Sequence, residues 1–196
     1  MNIEEQIESY RPCCEQEERD KALILAYLRA NDDAFLRTDP VAHMTASSWT
    51  VNPARDRVLM VYHRIYDSWS WTGGHADGDR DLLRVALREC REETGVRQLR
   101  PVSEEIFSLE ILTVDGHEKR GVYVPSHLHL NVTYLLEASE DDALKTCEEE
   151  NSAVRWFTLE EALRAPTEPW MVERVYRKLN AKLGLHKLNA KLGVIA

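Results

Sequence analysis

Gly74–Val96 reads GHADGDRDLLRVALRECREETGV, with a core of Arg88-Glu89-Cys90-Arg91-Glu92-Glu93-Thr94-Gly95-Val96. On a helix, Glu89, Glu92 and Glu93 are related as i, i+3 and i+4, so three carboxylates would project from one side. Leu83, Ala86, Leu87 and Cys90 would line the other side as an apolar stripe, which predicts a helix packed on a core. Gly95 supplies a C-terminal stop, and Gly73-Gly74-His75-Ala76-Asp77-Gly78-Asp79 forms the loop leading in. Carboxylates crowded on one turn repel one another unless something offsets their charge. A hard divalent cation does so, and oxygen-only ligands suit Mg²⁺ or Mn²⁺. Magnesium usually keeps waters and is shared with substrate phosphates, which points to metal-assisted attack on a phosphate ester or anhydride. A solvated acidic helix face is the competing reading of the charges alone.

The spacing of Gly74, Arg88, Glu89, Glu92, Glu93, Gly95 and Val96 resembles the signature of the Nudix hydrolase superfamily. Cys90 stands where that signature has a larger aliphatic residue, and Arg80 stands where it has its first Glu. The resemblance implies an α/β fold, an α/β/α sandwich with a mixed sheet. It also implies hydrolysis of a diphosphate linkage in a nucleoside diphosphate derivative or related organic pyrophosphate, with Mg²⁺ or Mn²⁺. By the same likeness Arg88 orients Glu89. Glu89, Glu92 and Glu93 hold metal with the backbone carbonyl of Gly73, and Asp77 or Asp79 offers a partial substitute for the missing Glu. Glu89, Glu93 and Glu150 are the candidate general bases; Glu150 is drawn from the acidic loop ahead of Val154-Arg155-Trp156-Phe157.

Beyond this stretch, the composition limits the possibilities. Acidic residues number 34 against 25 basic, a formal net charge of −9, which argues against a duplex nucleic-acid binder. No apolar run approaches the roughly 18 residues that span a membrane. The N-terminal MNIEEQIESY lacks a signal-peptide pattern, and the spacing of Cys13, Cys14, Cys90 and Cys147 suggests neither a zinc ribbon nor a disulfide framework. A cytoplasmic protein acting on a small-molecule diphosphate, with no membrane partner, fits these features.

Residues 1–37 read as an N-terminal helical extension, with Leu23, Ala26 and Tyr27 at helical spacing and a break at Asn31-Asp32-Asp33. Packing or homodimerisation is its expected role. Residues 38–184 read as the catalytic domain, and 185–196 as a tail carrying the second copy of KLNAKLG, which also occurs at 178–184. Strands are expected at 43–52, 57–63, 106–114, 122–137 and 154–157. Helices are expected near 159–164 and 171–183.

A second group involves histidine. The run HLHLNVTYLLEA places His127, His129, Asn131 and Thr133 on one strand face, and two imidazoles at i, i+2 can converge on one ion. With His43 and His75 they resemble, distantly, the metal-binding pattern of Nudix-type isopentenyl-diphosphate isomerases. Gly73 stands where those enzymes have a catalytic Cys, which argues against prenyl-diphosphate isomerase activity here. The four histidines either hold a second metal, zinc or manganese, or hydrogen-bond substrate phosphates or one another. Trp69 and Trp71 are candidates to stack on a flat substrate group, with core packing the alternative for at least one. A non-catalytic nucleotide-binding module is the competing function, and Arg80 favours it.

Overall fold

The alternation His43-Met44-Thr45-Ala46-Ser47 becomes the first part of strand β1 (Ala42–Val51), buried along its whole length. Alternate strand residues face opposite sides, so His43, Thr45 and Ser47 share one face. The computed structural model describes residues 1–119, 121–147 and 151–191. Helices α1 (Ile3–Ser9) and α2 (Glu15–Ala30) precede β1. Then come β2 (Arg57–His63), β3 (Ser68–Ser70), β4 (Thr72–His75) and α3 (Leu82–Thr94). Strands β5 (Leu99–Pro101), β6 (Ser108–Val114), β7 (His117–Lys119), β8 (Val122–Val124), β9 (His127–Ala138) and β10 (Asn151–Thr158) follow. A 3-10 turn (Glu161–Leu163), α4 (Pro169–Met171), a π-helical turn (Val172–Tyr176) and α5 (Arg177–Lys191) complete the order. The result is the expected mixed α/β fold. Contacts divide it into two units, each assembled from separated stretches of chain.

The first unit comprises Met1–Ser48, Gly73–Cys90 and Pro101–Leu136. Here β6 pairs antiparallel with β9, placing Ser108 opposite Thr133 and Glu110 opposite Asn131. From β1, the Thr45 and Ser47 hydroxyls both donate to Asn131 Oδ1 at 2.9 Å. Asn131 Nδ2 donates to Glu110 Oε2 and Thr133 Oγ1, each at 3.1 Å. Every hydrogen-bonding site of this amide is thereby used, which a fully buried Asn requires.

Residues 1–37 are helical in two pieces, interrupted around Pro12 and ended at Asn31 as the sequence suggests. The buried face of α2 is Glu17, Ile24 and Leu28, whereas Leu23 is 54% exposed. The expected face was therefore one residue out of phase. Glu17 Oε1 receives the Ser108 hydroxyl at 2.9 Å, and Oε2 receives Tyr10 Oη and the Cys13 amide at 2.7 and 2.8 Å. The expected single strand at 122–137 is two strands: Pro125, which has no N–H to donate, interrupts it. β8 instead forms a two-stranded hairpin with β7.

The second unit comprises Trp49–Thr72, Arg91–Arg100 and the chain from Glu137 onward. Here β2 pairs antiparallel with β10 and β3, and Val58 lies opposite Val51 at the end of β1. Trp49 stacks on Tyr176 with ring centroids 5.4 Å apart, in a core shared with Phe157, Val175 and Leu179. The helix expected near 159–164 is a 3-10 turn. The one expected at 171–183 extends to Lys191 and runs through Gly184 without a break. Among the described residues, no helix is long and apolar enough to cross a membrane.

Candidate functional site

The two glycines ahead of helix α3 are fixed by what surrounds them. In the first unit, a Cβ on Gly73 would meet Ser47 Oγ at 2.5 Å and the Ala46 carbonyl at 2.7 Å. A Cβ on Gly74 would meet Glu89 Oε2 at 2.5 Å. Both approaches are far inside van der Waals contact, so only glycine lets this loop pass against β1 and Glu89. Arg88 Nη2 and Nε donate to Glu89 Oε1 at 2.7 and 3.3 Å, fixing a carboxylate that is only 16% exposed.

Helix α3 buries Leu82, Val85, Ala86 and Cys90, while Leu83 and Leu87 are half-buried. The expected apolar stripe is thus rotated, and Glu93 continues the buried face at 4% exposure. The three carboxylates do not project alike: Glu89 is half-buried, Glu92 exposed and Glu93 buried. In the second unit, Asn151 Nδ2 donates to Glu93 Oε2 at 2.9 Å. Asn151 Oδ1 is buried with no hydrogen-bond partner among the described residues. The sequence reading chose Glu150, which lies outside the described residues. Its neighbour Asn151 was missed because a lone Asn at a strand start carries no catalytic signal of its own.

The loop acids are engaged by arginines. Asp77 takes Arg37 through both oxygens at 2.6 Å, and Asp79 takes Arg84 at 2.6 and 2.9 Å. The Arg84 guanidinium outweighs the opposing burial of the charge and holds the Asp79 carboxyl below the usual carboxylate range. Arg80 lays its guanidinium 4.4 Å from the centroid of Phe35. Trp71 is buried and meets Tyr176 edge-on, with centroids 5.8 Å apart, so it is a core residue. Trp69 is half-buried between Tyr62 and Phe157, with the Arg155 guanidinium 5.6 Å from its ring. Arg57 pairs with Glu140, and Arg55 lies 3.1 Å from His186 Nδ1.

The histidines converge. His43, His75, His127 and His129, all in the first unit, each offer one ring nitrogen, and these four atoms lie within 4.8 Å of one another. His127 Nε2 is 3.2 Å from His129 Nε2. His43 Nδ1 lies 3.1 Å from the Asp39 carbonyl, and His127 Nδ1 lies 2.9 Å from the Pro125 carbonyl. Burial, followed by the neighbouring imidazoles, pushes His129 down to about 2, so it is neutral at physiological pH. His117, which the sequence gave no context, stands near the group with its ring 6.5 Å from that of His127. Cys13, Cys14 and Glu17 also cluster, but Glu17 is already an acceptor for three groups.

The family model described as NUDIX domain matches residues 42–179. The bis(5'-nucleosyl)-tetraphosphatase (asymmetrical) of Mus musculus is 30% identical over 95 residues, 48% of this chain and 58% of that protein. The chain thus spans less than two thirds of that relative's length. A C. elegans Ap4A hydrolase binary complex superposes with a TM-score of 0.53 at 20% identity, over 74% of this chain and 98% of that one. A NUDIX-family hydrolase from Clostridium perfringens gives 0.50 at 19% identity, over 74% and 97%. At these identities the structural likeness concerns the fold alone.

Proposed function

This chain belongs to the NUDIX domain family, and from that premise we propose that it hydrolyses a phosphoanhydride bond in a nucleoside polyphosphate or related organic diphosphate. The observation that carries the reading is the fit of Gly74 against a Glu89 carboxylate held by Arg88. That contact gives the Gly loop and the acidic helix one shared geometry, which a merely solvated acidic face would not need.

Glu89, Glu92 and Glu93, with the Gly73 carbonyl, are the residues that would hold Mg²⁺ or Mn²⁺. They offer oxygen donors only, the set that hard divalent cations prefer. Such an ion, when bound, lowers the pKa of a coordinated water and offsets phosphate charge. Arg88 holds Glu89 Oε1, and Oε2 lies beside Gly74, so the carboxylate is fixed between the arginine and the loop. Asn151 holds Glu93 from its buried side, which limits the rotamers of that carboxylate. Glu89 and Glu93 are the proposed proton acceptors, and Glu150 a further one. Trp69, half-buried beside Arg155, is the proposed platform for a flat substrate group. The name of the mouse relative puts dinucleoside tetraphosphates first among substrates to test.

Arg80 supports one other reading, a non-catalytic nucleotide-binding module. It brings a cation to the place of a carboxylate, and it rests on Phe35. The deciding experiment measures product release from a panel of dinucleoside polyphosphates, nucleoside triphosphates and nucleoside diphosphate sugars, with Mg²⁺ and with Mn²⁺. Because Glu92 is exposed, Glu92→Gln should leave the fold intact and lower metal-dependent turnover by roughly a hundredfold or more. Wild-type turnover in that variant would sink its metal role. Thermal stabilisation by nucleotides without turnover would favour the binding module.

A further inference from the structure

Five of the six ring pairs in the histidine group have centroid separations of 4.9–5.2 Å. The four candidate ligand nitrogens lie within 4.8 Å of one another, so they converge on one small volume. A tetrahedral ion with nitrogen ligands at about 2.0–2.1 Å requires neighbouring ligand atoms roughly 3.3–3.4 Å apart. His127 Nε2 and His129 Nε2, at 3.2 Å, already stand at that edge length.

The tautomers agree with this geometry. A carbonyl oxygen can only accept, so the contacts to Asp39 and Pro125 require a proton on Nδ1 of His43 and of His127. In a neutral imidazole that leaves Nε2 bare, with its lone pair free for a ligand. His127 Nε2 has His129 to receive a proton from, but His43 Nε2 is buried, on a residue only 5% exposed, with no hydrogen-bond partner among the described residues. A buried bare nitrogen facing three other imidazoles is costly unless a cation fills the space. A phosphate would need N–H donors where His43 and His127 present lone pairs. Backbone carbonyls that fix ring tautomers are the usual outer support of metal-binding histidines. The Asp39 carboxylate adds negative charge nearby: it accepts Tyr27 Oη at 2.6 Å and acts electrostatically on His43.

We propose that His43, His75, His127 and His129 form a closed, four-nitrogen site for a divalent transition ion of the zinc class, separate from the carboxylates of helix α3. Four imidazoles select a borderline ion over magnesium. Four protein ligands fill a tetrahedral shell and leave no open position, so the role is structural. The ion would tie together β1, β4 and β9. Since His75 directly follows Gly74, it would also anchor the loop that lies against Glu89.

The test is free of turnover. Full-length protein, stripped with chelator, is titrated with Co²⁺, then with Zn²⁺ in competition and with excess Mg²⁺. The expected result is one Co²⁺ per chain, with the intense visible absorption of a tetrahedral ion, displaced by Zn²⁺ and unaffected by Mg²⁺. Zn²⁺ should also raise the Tm. His75→Gln and His129→Ala should each lose that absorption, and circular dichroism would identify a variant that has failed to fold. The proposal is overturned if folded wild type gives no such spectrum, if it gives only the weak bands of an octahedral ion, or if both folded variants keep the wild-type spectrum. Stabilisation by inorganic phosphate but not by Zn²⁺ would also overturn it, in favour of an anion site.

Discussion

At residue scale, Gly74 is the most constrained position in the Gly loop, because a single methyl group there collides with a carboxylate that the helix fixes. Gly74→Ala should move Glu89 off its Arg88-held position. Misplacement of a catalytic group by about 1 Å costs roughly a hundredfold, so kcat should fall on that order while Tm changes little. Steady-state kinetics beside thermal unfolding checks this; unchanged kcat would mean that Glu89 need not sit against the loop. Much of the candidate site was legible at this scale, since Gly74, Arg88 and the glutamates fall at the spacing of the signature that the sequence resembles. Asn151 was not. Its contact with Glu93 spans 58 positions of sequence, and no local rule connects a strand-start Asn with a helix carboxylate.

At element scale, the periodicities predicted the elements better than the faces they bury. Both α2 and α3 form where expected, yet each buried face is turned by about one residue. The reason is that a buried Glu takes a place in each face: Glu17 is held by Ser108 and Tyr10, and Glu93 by Asn151. Hydropathy alone assigns a carboxylate to solvent, so a partnered one misaligns the pattern. The C-terminal end of α3 has a brace of its own. The amides of Gln98 and Arg97 donate to Asp142 Oδ2 at 2.7 and 2.8 Å, and the Lys145 amide donates to the Thr94 carbonyl at 2.8 Å. Those two amides, Gln98 first, hold the Asp142 carboxyl below the usual carboxylate range. A depressed folded pKa gives stability that is fully present above the unfolded value, about 3.9, and lost as pH falls through the folded one. Asp142→Asn keeps an acceptor oxygen and removes the charge. Its Tm should therefore lie below wild type at neutral pH and approach it in acid, once the wild-type carboxylate is protonated below the usual carboxylate range. A Tm difference independent of pH would show that the charge at Asp142 does not brace the helix.

At the scale of the whole molecule, the α/β class was readable from alternating strand and helix signals, but the division of the chain was not. Each compact unit draws on stretches of chain separated by the other, and no local sequence signal marks that. The polar residues of β1 and β9 are an instance: Thr45, Ser47, Asn131 and Thr133 are buried and hydrogen-bonded to one another in the first unit. The same network reaches the N-terminal helices, because Ser108 touches both Glu110 and Glu17. Residues 1–37 therefore contribute a buried polar group to the unit that holds the Gly loop and the histidines. Glu17→Ala would remove the acceptor of Tyr10 Oη and of the Cys13 amide, while the Ser108 hydroxyl keeps Glu110 Oε1. An unsatisfied buried donor costs about 1–3 kcal/mol, part of which is offset by no longer burying a carboxylate. For a chain of this size the Tm should fall by roughly 5–10 °C. Glu17→Gln, which keeps an acceptor oxygen, should fall by less. If the helices were an appendage, both variants would unfold at the wild-type temperature. A graded loss, Ala below Gln below wild type, would mean that helices α1 and α2 are an integral part of the unit that holds the Gly loop.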